Sequence, residues 1–109
     1  MIYTIAKQKI FIPEFNGNKE AEKGDQIRIT IGFPSVSEVA EASGEYDNQV
    51  VFSFLSHVKK VEGLQLEIDG KIKDAEPLDI IETPGLIELF MEIKDEYEKL
   101  TVIDKKKLK

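Results

Sequence analysis

The side chains that could carry out chemistry in this sequence are one histidine and a set of carboxylates, because the chain contains no cysteine. Disulfides, thiolate catalysis and sulfur-ligated metal centres are therefore excluded. His57 is the only histidine, so a single chain cannot build a zinc site from several imidazoles. No nucleophile motif accompanies His57, and we expect it to pack at the edge of its helix rather than to act as a general base.

The carboxylates are densest near the C-terminal end, where five acidic residues fall in one predicted helix. Their angular positions spread over its polar side, Lys94 and Lys99 interleave with them, and no histidine stands at Glu-x-x-His spacing. We interpret them as a solvated acidic face, although a small carboxylate-dependent enzyme is the alternative from another functional class. No glycine-rich phosphate loop is present either. We predict that the protein is not an enzyme and uses no cofactor or metal. The five residues are Glu88, Glu92, Asp95, Glu96 and Glu98.

An Asp-Gly pair, Asp69-Gly70, raises the separate question of a calcium loop. Such a loop needs oxygen ligands at alternating positions and a closing glutamate. Lys71 and Lys73 stand where those ligands would be. The pair is therefore predicted to be a hairpin turn.

The hairpin register depends on the length of this turn. A two-residue loop would place Glu67 opposite Ile72, a charge against an apolar side chain. A three-residue loop, residues 68–70, pairs Glu67 with Lys71 and Leu66 with Ile72, with glycine at the left-handed position. We predict the three-residue loop.

The elements of the N-terminal half are predicted from alternation and turn residues. Residues 2–12 indicate one interrupted strand or two short strands, and residues 13–26 an exposed loop. Residues 27–33 alternate cleanly and are the clearest strand. Ser35 and Glu38 form a capping-box pattern that predicts a helix as far as about Ser43.

Two main helices are predicted in the rest of the chain. Residues 48–61, capped by Asp47, carry an apolar helical stripe, although VVFSFLS is also typical of a strand. A short helix over residues 75–82 is expected to be capped by Asp74, and the last helix to span residues 84–100 with Pro84 in its first turn. The fold class is therefore α+β: a small, mostly antiparallel sheet with two main helices packed on it and a β-hairpin between them.

Three apolar side chains are the candidates for partner binding. Phe52 lies opposite the apolar face of its predicted helix, so either it is exposed or the helix assignment is wrong there. Ile87 and Met91, four residues apart, form a line beside the core stripe of the last helix, and either they are buried in a two-layer domain or they form an exposed ridge. The core stripe itself comprises Leu86, Leu89, Phe90, Ile93, Tyr97 and Leu100.

Composition limits the environment and the partners. The chain of 109 residues suggests one domain, residues 1–104, followed by a flexible basic tail, residues 105–109. No apolar run is long enough to span a membrane, and the N-terminus lacks a signal-peptide pattern, so we expect a cytoplasmic protein. The net charge of -6 makes nucleic acid an unfavourable partner.

The stretch GLQLEIDGKIKDAEPLDIIETPGLIELFMEIKDEYEKL, together with FIPEFNGN and GFPSVSE, resembles small proteins encoded among the tail genes of tailed phages and prophages, especially tail-assembly chaperones and tail accessory proteins. The resemblance implies a non-catalytic role in the bacterial host, with a tape-measure or tail-tube protein as partner. Presence in the virion as a minor structural or head–tail connector protein is the alternative, and self-association is a further option. The acidic charge also allows a third hypothesis, acidic mimicry of nucleic acid toward a basic partner.

Overall fold

The structure of the protein is a computed structural model, and it describes residues 1–2 and 8–100. The fold is α+β, which confirms the predicted class. A three-stranded antiparallel sheet has the order β1-β2-β3, and β4 and β5 form a separate hairpin. Two short 3₁₀ segments, Phe15–Glu20 and Lys23–Asp25, lie between β1 and β2. The strands are β1 (Lys9–Phe11), β2 (Arg28–Ile31), β3 (Val58–Glu62), β4 (Gln65–Ile68) and β5 (Lys71–Asp74); the helices are α1 (Val36–Glu45), α2 (Gln49–His57), α3 (Pro77–Glu82) and α4 (Ile87–Glu98).

Strand β2, predicted as a strand from its alternating pattern, lies at the centre of the three-stranded sheet. Ile29 and Ile31 are fully buried, and Ile29 faces Phe11 on β1 and Val61 on β3. Alternate side chains of a strand point to opposite faces, so the isoleucines enter the core while Arg28 and its polar neighbours face outward. Of the N-terminal strand expected over residues 2–12, the part at residues 3–7 lies outside the described residues.

The helix predicted over residues 48–61 ends early, at His57, and the chain continues directly into β3. That prediction was wrong for residues 58–61, because β-branched Val58 and Val61 pair with the edge of β2 instead. A periodic apolar pattern does not reveal that a free strand edge is nearby. The helix is also capped by Asn48 rather than by Asp47: the Asn48 side chain accepts hydrogen bonds from the backbone N–H groups of Val50 and Val51.

The segment before β2 is more ordered than the exposed loop predicted for residues 13–26. Asn18 is buried, and its Nδ2 donates to the carbonyl oxygens of Pro13 at 2.9 Å and Ile27 at 3.1 Å. Its Oδ1 accepts from the Ile27 N–H at 2.6 Å. The amide thus joins both ends of the segment and satisfies buried backbone groups, which charge-rich composition does not indicate.

The hairpin register differs from the prediction. Ile68 pairs with Lys71 and Glu67 with Ile72, which leaves a two-residue turn. Asp69 and Gly70 have φ values of 53° and 79°, the positive values of a type I′ turn, whose twist suits a hairpin. Glu67 and Ile72 are both exposed, so placing a charge opposite an apolar side chain costs little there. Turn geometry therefore outweighs side-chain pairing.

The last two helices begin later than expected. Asp74 is the final residue of β5 rather than a cap, and α3 begins where the Asp79 carboxylate accepts a hydrogen bond from the Glu76 N–H at 2.8 Å. Pro84 and Gly85 form the connection to α4, and Gly85 has a φ of 91°. By contrast, the Ser35–Glu38 capping box of α1 is confirmed.

The core lies between the three-stranded sheet and helices α2, α3 and α4. Phe54 is its central aromatic residue, with ring centroids 5.0 Å from Phe90 and 6.2 Å from Tyr97. A smaller apolar cluster beneath the hairpin contains Leu66, Ala75 and Leu86. The main cluster fixes the orientation of α4 and therefore decides which of its side chains reach the surface. Its buried members are Ile27, Ile29, Ile31, Phe54, Val58, Ile80, Leu89, Ile93 and Tyr97.

Candidate protein-binding surface

Helix α4 has one buried face, and that face carries the predicted core stripe. Leu89 and Ile93 are fully buried, whereas Phe90 and Leu100 are packed at the margin of the core. The Glu92 carboxylate accepts a hydrogen bond from the Glu14 N–H at 2.8 Å, which joins α4 to the segment before β2. The helix is therefore held from two sides, and its exposed face has a defined orientation.

The second apolar line of α4 lies on the surface. Ile87 is 70% exposed and Met91 is 52% exposed, so the arrangement in which both lines are buried is excluded. Contiguous exposed apolar patches mark contact surfaces, whereas single exposed apolar side chains are ordinary. Whether they bind a partner stays a prediction at this point.

Ile87 and Met91 belong to a shallow concavity of about 360 Å³, lined by acidic side chains as well. Glu88 and Asp95 are exposed, and Glu92 is partly buried. We call the part of α4 that these five residues form the α4 ridge; its members are Ile87, Glu88, Met91, Glu92 and Asp95. The ridge combines apolar contact area with a row of negative charge.

An apolar groove of about 260 Å³ adjoins the ridge at Ile87. Helices α2, α3 and α4 form its walls, and we call it the α3–α4 groove. The Thr83–Gly85 connection between α3 and α4 completes its lining. Its lining residues are Val51, Ile80, Ile81, Thr83, Pro84, Gly85, Ile87 and Phe90.

The structure brings together two of the three candidate residues predicted from the sequence. Ile87 and Met91 lie together, whereas the third candidate, Phe52, is partly buried on α2 and lines neither the ridge nor the groove. Its neighbour Val51 lines the groove instead. The groove residues of α2 and α3 were missed, because periodicity predicts that a side chain is apolar and inward-facing but not that three helix ends leave a gap between them.

The other acidic residues of α4 are engaged in ion pairs. Glu96 pairs with Lys9 and Lys99, and the hydrogen bond from Lys9 lowers the pKa of the Glu96 carboxyl. Glu98 lies 3.1 Å from the Lys94 ammonium, one helical turn earlier. Among the described residues, no lysine or arginine lies within ion-pair distance of Glu88, Glu92 or Asp95, although Glu92 keeps its hydrogen bond from the Glu14 N–H and Asp95 lies near the Lys94 ammonium.

His57 occupies the boundary position expected for it. Its ring stacks on Tyr97 with centroids 4.5 Å apart, and Nδ1 lies 2.7 Å from the Ser53 carbonyl oxygen. Burial raises the pKa of the Tyr97 hydroxyl. These contacts hold the end of α2 against α4.

A third concavity, of about 240 Å³, lies between α1 and α2 and is lined mainly by polar side chains. At its edge Lys59 lies 2.8 Å from Glu38, and this hydrogen bond, with one from the Ser35 N–H, lowers the pKa of Glu38 to about 2. The pair joins β3 to the N-terminus of α1. No group of three or more His, Asp or Glu side chains suited to a metal ion occurs within residues 8–100.

Comparison of the chain with protein-family models, with curated proteins and with solved structures finds no match. Among the described helices, none has the length and hydropathy needed to cross a bilayer.

Proposed function

We propose that this protein is a non-catalytic binding factor that recognises another protein through the α4 ridge and the α3–α4 groove. The observation that carries the proposal is the exposure of Ile87 and Met91 beside an apolar groove on a helix held from both sides. An ordered apolar surface loses little conformational entropy on binding, so more of its contact energy contributes to affinity.

The shape and charge of this surface indicate which kind of protein segment it can bind. A groove of about 260 Å³ accommodates one or two apolar side chains, and the ridge beside it presents carboxylates at Glu88, Glu92 and Asp95. An amphipathic helix that inserts apolar residues and carries lysine or arginine along one edge satisfies both features. Such a segment is the proposed ligand.

The biological setting of the proposal comes from the sequence resemblance. As a tail-assembly chaperone-like protein of a tailed phage or prophage, the chain would act in the cytoplasm of the bacterial host. It would hold an assembly-prone segment of a tape-measure or tail-tube protein. Covering an apolar segment before assembly requires a groove and no catalytic group.

The test is co-expression with a tape-measure protein and with a tail-tube protein of a tailed phage, followed by titration of the complex that forms. Ile87→Glu and Met91→Glu place charge on the contact surface, and we expect each to weaken binding at least about tenfold. Glu at residue 87, the first position of α4, suits the helix dipole, so folding is preserved.

The matched control is Val36→Glu, since Val36 is 88% exposed at the first position of α1 and lies outside the proposed surface. This variant should bind like the wild type. Binding that is equally strong in all three variants, or absence of binding to both partner proteins, would contradict the proposal.

A further inference from the structure

We propose that the α4 ridge also binds residues 101–109 of the same chain, so that the C-terminal segment competes with the assembly partner. The ridge is the same surface as in the proposed function, but docking of this segment does not depend on the identity of the partner. Docking of the segment and binding of the partner can therefore be tested separately, whereas the competition between them rests on the proposed function.

The segment and the ridge have complementary chemistry. The segment TVIDKKKLK contains the apolar residues Val102, Ile103 and Leu108 together with four lysines. The ridge presents two apolar side chains among three carboxylates, so apolar groups can meet apolar groups while lysine ammonium groups meet carboxylates. Close pairing of opposite charges also favours the bound register over others. The segment has the composition expected of the ligand.

The segment is long enough to reach the whole ridge. The segment begins directly after Leu100, just beyond the C-terminal end of α4, and the ridge extends toward the N-terminal end of the same helix. From Glu98 back to Ile87 the helix rises about 16 Å, at 1.5 Å per residue. Nine extended residues span up to about 30 Å. The chain can reverse direction and still cover the whole ridge.

A second copy of the protein, the alternative occupant, suits the ridge less well than the segment does. In a two-fold dimer the same patch meets itself, so Glu88 and Asp95 of one copy would face the same row of carboxylates on the other. The net charge of -6 adds to this repulsion. A basic segment removes the repulsion, whereas a second ridge increases it.

The experiment uses the absence of native cysteine, since one introduced cysteine is a unique labelling site. A nitroxide spin label is attached to Lys109→Cys in the full chain, and broadening of backbone amide signals is recorded by NMR. Docking predicts strong loss of signal at Glu88 and Met91, while amides of α1 keep their intensity.

Reversing the charge of two lysines in the segment distinguishes docking on the ridge from nonspecific proximity of the spin label. Lys105→Glu with Lys107→Glu should restore the signals of Glu88 and Met91, and sodium chloride at about 1 M should do the same by shortening the screening length to about 3 Å. The matched control is Lys23→Glu with Lys71→Glu, which changes the net charge equally at exposed lysines that form no ion pair with a described residue. The control should leave the broadening unchanged.

Three outcomes would overturn the proposal. One is broadening confined to residues next to Leu100. Another is broadening at Met91 that both charge variants reduce equally, since that reports net charge alone. The third is broadening that appears only when spin-labelled and isotope-labelled molecules are mixed, which would make a second copy the occupant.

Discussion

Replacing Leu89 and Ile87 by alanine, one at a time, separates the buried face of α4 from its exposed face. The two residues lie two positions apart on one helix, yet Leu89 is 0% exposed and Ile87 is 70% exposed. If the ridge is a free surface, the two substitutions must differ strongly in their effect on folding stability.

The expected size of each effect follows from burial. Truncating a fully buried leucine to alanine typically costs about 2–5 kcal/mol, so Leu89→Ala should lower the melting temperature by at least about 8 °C for a domain of this size. Ile87 keeps less than a third of its surface buried, and alanine has the higher helix propensity. We therefore expect Ile87→Ala to change the free energy of unfolding by no more than about 0.5 kcal/mol.

The assay is urea unfolding followed by circular dichroism, with the dependence on urea concentration checked for equality among the proteins. Loss of more than about 1.5 kcal/mol in Ile87→Ala would refute the reasoning, because an exposed side chain cannot account for it. A near-neutral Leu89→Ala would refute the assignment of the buried face.

Further predictions concern the groups that hold the rest of the fold. Gly63→Ala should destabilise the protein by more than about 2 kcal/mol in urea unfolding, because Gly63 has a φ of 78° and a Cβ there would lie 2.1 Å from a backbone carbonyl oxygen. Gly24→Ala, which meets no atom within 4 Å, is the control and should be near neutral. Asn18→Ala should cost about 2–4 kcal/mol, because it leaves buried backbone groups of the segment before β2 unpaired; an equal melting temperature would contradict this role. The ion pair with Lys9 lowers the pKa of the Glu96 carboxyl in the folded protein, so the pair stabilises the fold above pH 4.5, the unfolded pKa, and this stabilisation is lost as the pH falls from 4.5 through the lower folded pKa. Glu96→Gln should therefore flatten the stability–pH curve in this range. An unchanged curve would argue against the ion pair.

The sequence was most informative where one local pattern decided the structure. Strand β2 follows from the alternation of its isoleucines, and the start of α1 follows from the Ser35–Glu38 capping box. In α4 the spacing of apolar residues separated the buried stripe from the line of Ile87 and Met91. Each of these features depends on neighbours within one or two turns of the chain.

The errors occurred where distant residues or backbone geometry decided the outcome. Val58 and Val61 left the helical pattern because β2 offered a strand edge, and the hairpin adopted the turn preferred by Asp69-Gly70 although its side-chain pairs are poorer. The α3–α4 groove depends on how three helix ends meet, so no local pattern indicates it. The sequence allowed Ile87 and Met91 to be either buried in a two-layer domain or exposed on the surface. Only the packing of α4 in the folded protein decides between these two arrangements.

The most direct test of the central claim, that α4 presents a protein-binding surface, is methyl NMR of the full chain in complex with the tape-measure or tail-tube protein. The account predicts that the methyl signals of Ile87 and Met91 shift and lose solvent exposure on binding, while those of Val36 on α1 stay unchanged. A complex that perturbs Val36 and leaves Ile87 and Met91 unaffected would contradict it.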